Sequence, residues 1–129
     1  MNQQTSITII KPDDWHIHLR DGAMMQRVVP LTAKHFARAI VMPNLTPPIT
    51  TAAMALDYKS RILQASTGYD FEPLMVLYLT DNTSAQDVIE AKNAGLVACK
   101  LYPSGATTNS DAGVSNIKNT YPALAEMES

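Results

Sequence analysis

Four short apolar runs, separated by segments of helical periodicity, constrain this chain more than any other feature. Residues 14–19, 36–42 (FARAIVM), 72–79 (EPLMVLYL) and 96–102 (LVACKLY) each read as a strand. The stretches 23–34, 52–66 and 85–94 between them carry apolar residues three or four apart, the spacing of one helix face. Near-continuous apolar strands are the mark of sheets covered on both faces, and parallel neighbours need a long crossover. The alternation therefore predicts an α/β fold with a parallel sheet and right-handed crossovers. A further run, 6–11 (SITIIK), reads as a preceding strand stopped by Pro12, and a last helix is expected from about 114, with Val114, Ile117, Tyr121, Leu124 and Met127 on one face.

Local signals punctuate these elements. Asp21-Gly22 marks a turn, and Met24, Val28 and Leu31 supply the stripe of helix 23–34, which Pro30 kinks or divides. The proline-rich loop Pro43-Asn44-Leu45-Thr46-Pro47-Pro48 is rigid. Thr50 or Thr51 caps helix 52–66, whose stripe is Leu56, Ile62 and Leu63 with Ala52 and Ala55. Thr83 with Gln86, or Ser84 with Asp87, fits a capping box, Val88 and Ile89 face inward, and Gly95 suits the residue after the helix. Residues 103–110 form a long polar loop, and no linker divides the 129 residues.

Composition removes several function classes. Hydrophobic residues make up 46% of the chain, enough for a core, and a net charge of −2 without any basic run leaves no nucleic-acid footprint. Cys99 is the single cysteine, so an internal disulfide framework is excluded and a buried, inert thiol is expected. No apolar run approaches the ~20 residues of a membrane span. The opening MNQQTSIT lacks the charged and apolar regions of a signal peptide, which makes the cytoplasm the expected setting.

Polar residues then stand out against this apolar frame. In a strand through Trp15-His16-Ile17-His18, alternation places His16, His18 and Arg20 on one face, with Trp15, Ile17 and Leu19 on the other. Two imidazoles one strand-step apart can share one metal ion, or can be polar core residues with ordinary hydrogen bonds. Lys100 interrupts the apolar fourth run. A buried ammonium is costly, so it either reaches solvent or an acid, or serves as a Schiff-base amine, an anion binder, or an amine that has taken up carbon dioxide. The last becomes a carboxylate-like bridge able to join two metals. His16, His18, Arg20, Asn44, Asp81 and Lys100 all fall in or just after strand C-terminal ends, the active end of barrels and of open α/β sheets alike.

Three long segments carry a family resemblance. KPDDWHIHLRDG resembles the opening of dihydroorotases of the compact bacterial type, PNLTPPITT resembles their second active-site loop, and KLYPSGATTNSDAGV resembles their carboxylated-lysine strand and its loop. The resemblance spans essentially the whole chain and implies the N-terminal part, about four βα units, of a TIM (β/α)8 barrel of the metal-dependent hydrolase type. It implies that His16 and His18 bind the more buried of two zinc ions and that Lys100, carboxylated by carbon dioxide, bridges both. It implies that Arg20 and Asn44 hold the substrate carboxylate, in a zinc-dependent interconversion of L-dihydroorotate and N-carbamoyl-L-aspartate in pyrimidine synthesis. A homodimer goes with the full enzyme.

The same resemblance implies parts absent from these 129 residues: two further histidines for the second zinc, a proton-shuttling aspartate, and later substrate contacts. His35 precedes the strand 36–42, at the wrong end to replace them, and is expected at a helix end; Asp81 matches no catalytic aspartate of the family. A complete barrel needs roughly 250 residues, so residues 1–129 are expected to be the N-terminal portion of one barrel domain, inactive without the rest. The alternatives are a non-catalytic binding or structural subunit that retains this part of the fold, or an amidohydrolase with a different substrate.

Overall fold

A computed structural model describes residues 6–129; the part of the N-terminal reading that rests on residues 1–5 lies outside them. The elements are β1 (Asp13–Ile17), α1 (Gly22–His35), β2 (Arg38–Val41), α2 (Ala52–Ala65), β3 (Glu72–Leu79), α3 (Ala85–Asn93) and β4 (Ala98–Leu101), followed by a 3-10 turn (Ile117–Thr120) and α4 (Tyr121–Met127). All three strand pairings are parallel, and the sheet order is β1-β2-β3-β4. Strand order never reverses, so right-handed crossovers put every helix on the same face. A doubly wound sheet would reverse at a switch point. The architecture is therefore four βα units of an open, curled half-barrel, as expected for the N-terminal part of a (β/α)8 barrel.

The core lies between the sheet and that helical layer. Met25, Val29 and Ala33 of α1 and Ala55, Tyr58 and Ile62 of α2 pack with Ala39, Val41 and Met75 of the strands. A second cluster joins Leu79, Val88, Val114 and Ala123 beneath α3 and α4. Burying a large aliphatic side chain contributes about 1.5–3 kcal/mol, so these layers dominate the stability.

Local chemistry sets the helix ends. Asp21 caps α1 by accepting from the Gly22 amide, and Thr51 caps α2 by accepting from the Met54 amide. Of the two candidate capping boxes, Ser84 with Asp87 forms, both reciprocal bonds being present. Gly95, at φ 78°, follows α3 and turns the chain into β4.

Four expectations need correction. Residues 6–11 form no strand; Ile7, Ile9 and Ile10 are exposed, because no neighbouring strand covers them. The α1 stripe is Met25, Val29, Thr32 and Ala33, while Met24 and Leu31 are exposed and Val28 is partly buried. This helix has apolar residues on two adjacent stripes, and packing on the sheet selects one; it runs unbroken through Pro30. In α2 Leu56 and Leu63 face outward and Tyr58 takes the core position. The last helix begins only at Tyr121, because the Asn116 side chain caps a 3-10 turn before it.

Candidate functional site

Strand β1 is irregular where it matters. Asp14 pairs with Ala39 and Ile17 with Val41, so three steps on β1 face two on β2, a one-residue bulge. The Asp14 carboxylate accepts the His16 amide hydrogen at 2.9 Å, satisfying a group that the bulge removes from the ladder. The consequence is convergence: His16 Nε2 and His18 Nε2 lie 3.3 Å apart, with ring centroids 5.2 Å apart. His18 itself lies just beyond the end of β1.

Five of the six polar residues singled out at strand ends in the sequence line one cavity of about 320 Å³ at the C-terminal end of the strands. His16, His18 and Arg20 come from β1 and the turn after it, Asn44 from the loop after β2, and Lys100 from β4. Arg20 arrives there by a left-handed backbone, φ 60°, which simple strand alternation does not describe. The Tyr58 hydroxyl, buried in α2, donates to the Arg20 carbonyl at 2.7 Å and fixes that turn. Asp81 stands apart: its carboxylate accepts from the Ser115 amide and hydroxyl and from the Asn116 amide, tying β3 to the segment before α4. His35 ends α1 and is exposed, as expected.

The lining is cationic or neutral. It holds His16, His18, Arg20 and Lys100 and no carboxylate. Burial, then the neighbouring Arg20 charge, pushes the His18 imidazole below its ordinary value, outweighing the opposing influence of the nearby Asn44 side chain. A neutral imidazole is the form that ligates metal. Burial also pushes the Cys99 thiol up, toward the protonated form expected of an inert cysteine, although that residue is only partly buried.

Two nitrogens bound at about 2.0–2.1 Å to one tetrahedral zinc ion stand about 3.3–3.4 Å apart, which is the separation of the two Nε2 atoms. The separation matches that of two ligands on one metal ion, and without a metal it is also that of a direct hydrogen bond between the two imidazoles. Among the described residues no group of three or more His, Cys, Asp or Glu side chains could hold a metal ion. Besides the two imidazoles, the cavity's nitrogen and oxygen side chains are those of Arg20, Asn44, Lys100, Tyr102, Thr107 and Thr108.

Sequence reasoning missed the opposite wall. Thr107 and Thr108 line the cavity, and the loop that carries them is knitted internally: the Gly105 amide donates to the Ser110 carbonyl at 3.0 Å, and buried Ser110 exchanges hydrogen bonds with Thr107. Asn44 is spanned by this loop, donating to the Thr108 carbonyl at 2.9 Å. Tyr102 also lines the cavity and stacks on Tyr78 with centroids 4.9 Å apart. Period-two spacing from Lys100 could have flagged Tyr102; Tyr78 needed the tertiary register, which sets it beside Lys100.

Comparison with known proteins agrees with this geometry. A dihydroorotase of Leptothrix cholodnii is 61% identical over 125 residues, 96% of this chain but 36% of that protein. The crystal structure of a dihydroorotase from Campylobacter jejuni superposes with a TM-score of 0.84 at 40% identity, over 91% of this chain and 35% of that one. The Saccharomyces cerevisiae dihydroorotase in complex with 5-fluoroorotic acid gives 0.81 at 35% identity, over 91% and 33%. The chain thus spans about a third of the length of these relatives. The sequence model of the amidohydrolase family matches residues 7–127, covering every element and all five converging residues, and the chain belongs to that family.

Proposed function

We propose that this chain supplies the first part of a dihydroorotase active site, one that interconverts L-dihydroorotate and N-carbamoyl-L-aspartate once the remainder of the barrel is joined to it. The observation that carries this reading is the convergence of two imidazole nitrogens with Arg20, Asn44 and Lys100 in one carboxylate-free cavity. His16 and His18 would hold the more buried of two zinc ions, and Lys100, carboxylated at its amine, would bridge both. When bound, the zinc pair supplies Lewis-acid polarisation of the ring amide and an activated water near neutral pH.

The chain's own residues supply recognition. The Arg20 guanidinium offers a planar, charge-assisted fork to the substrate carboxylate, and Asn44 adds an amide donor beside it. Thr107 and Thr108 of the loop 103–110 form one wall of the cavity. The zinc pair and the homodimer rest on the resemblance and belong to this same reading. The chain by itself is expected to be inactive, because no third metal ligand of the usual acidic or imidazole type stands in its cavity among the described residues.

Calorimetric zinc titration of the full 129-residue chain tests the site. Saturable uptake that His16→Ala and His18→Ala each remove supports it; uptake unchanged by both substitutions overturns it. Turnover of dihydroorotate by the pure chain would overturn the expected inactivity.

A further inference from the structure

Tyr58, Tyr78 and Tyr102 are the buried tyrosines of the described residues. The first donates its hydroxyl to the Arg20 carbonyl and the second donates to the Asn109 carbonyl at 3.2 Å. The Tyr102 hydroxyl alone has no partner, although the residue is only 5% exposed. Buried hydroxyls are nearly always paired, and one left unpaired marks a missing partner.

Tyr102 is held where it is. Its ring stacks on Tyr78, and its carbonyl accepts the Val114 amide hydrogen at 2.8 Å. A Cβ on Gly113 would stand 2.3 Å from the Tyr102 carbonyl oxygen, so the loop closes on this residue only because glycine is there. Lys100 Nζ lies 5.8 Å from the Tyr102 ring centroid, one strand repeat away on the same face. The cavity around the two offers two imidazoles, a guanidinium, an ammonium, a side-chain amide, two threonine hydroxyls and a phenol, and no carboxylate. The group lacking from this set is an oxyanion at the Lys100 tip.

We propose that Tyr102 is a positioning residue that donates its phenolic hydrogen to an oxygen of a carbamate on Lys100. This rests on the reading of Lys100 as carboxylated. The ammonium first releases one proton to solvent. The amine lone pair then forms an N–C bond to carbon dioxide as one C=O π pair moves onto oxygen. A second proton leaves nitrogen for solvent, giving –NH–COO⁻ with no change of oxidation state. The hydroxyl keeps its proton and gains an anionic acceptor, a charge-assisted hydrogen bond; one cation of the cavity becomes the anion that the others lack.

The test uses the full chain with zinc and 13C-labelled bicarbonate, following the carbamate carbon by NMR and the melting temperature alongside. Wild type shows a bicarbonate-dependent carbamate signal and a matching rise in melting temperature, and Lys100→Ala shows neither. Tyr102→Phe, which keeps the ring and its stack, needs about tenfold or more bicarbonate for half occupancy, recovers the signal at high bicarbonate, and melts no lower than wild type without bicarbonate. A purely structural role would lower melting in both conditions and leave the half-occupancy point unmoved. Half occupancy within twofold of wild type overturns the role of Tyr102 while leaving the carbamate standing. No signal in wild type overturns the Lys100 reading and this inference with it.

Discussion

Asn109 donates its side-chain amide to the Asn44 carbonyl at 3.0 Å, and Asn44 returns the contact by donating to the carbonyl of Thr108, the residue before it. Asn109 adopts a left-handed backbone, φ 55°, a region asparagine tolerates better than other non-glycine residues. One residue therefore fixes both the turn of the loop 103–110 and its clamp on the loop after β2. Asn109→Ala should lose both, about 1–2 kcal/mol of local stability, whereas Asn109→Gly should lose only the clamp. Amide hydrogen exchange at Gly105 and Thr107 checks this: protection should fall in the order wild type, glycine, alanine. Equal protection in all three would remove the clamp from the account.

Tyr58 acts on the other side of the cavity. Its buried hydroxyl is the anchor of the Arg20 carbonyl, and burial holds its own ionisation well above the ordinary range, so it remains a donor at all physiological pH. Tyr58→Phe leaves that carbonyl without its partner, a cost of about 1–3 kcal/mol. The urea midpoint should fall with the slope unchanged, and the strained Arg20 turn should lose definition, seen as broadening of its amide resonance.

Asp81 provides a pH signature. The Ser115 hydroxyl holds its carboxyl below the usual carboxylate range, outweighing the opposing effect of burial. A carboxyl with a lowered folded-state value contributes stability above its unfolded value of about 3.9, and that contribution is lost as pH falls through the folded value. Asp81→Asn should therefore be less stable than wild type at pH 5–7, with the difference shrinking below about pH 3.9. Thermal unfolding across pH checks it; a gap that widens on acidification would contradict the assignment.

The sheet has two open edges, β1 and β4. Val97, at the start of the β4 edge, is 50% exposed, and Leu124 and Met127 of α4 are also exposed. An unpaired apolar edge is a site of association. The weight-average mass by sedimentation should rise with concentration, and Val97→Lys should reduce that rise without changing the far-UV circular dichroism spectrum. A concentration-independent monomer would show that the edge is benign.

Much of the fold was legible because the βα alternation is a repeated pattern, each strand an apolar run and each helix a period near 3.6. The caps were legible too: Thr51, Ser84 with Asp87, and Gly95 act through contacts within a few residues. Helix phase was less so. In α1 two neighbouring stripes are both apolar, and a turn of 100° exchanges them; only contact with the sheet buries Met25 and Val29 rather than Met24 and Leu31.

The sequence by itself determined which polar side chains stand at the C-terminal end of the strands, because strand ends and residue types are local properties. Tertiary structure alone decided the rest. It set the bulge that brings His16 and His18 Nε2 to 3.3 Å, the register that places Tyr78 beside Lys100, and the loop closure that leaves the Tyr102 hydroxyl buried and unpaired. Each depends on pairings between residues far apart in the chain, and a distance across a cavity is a property of those pairings rather than of any one segment.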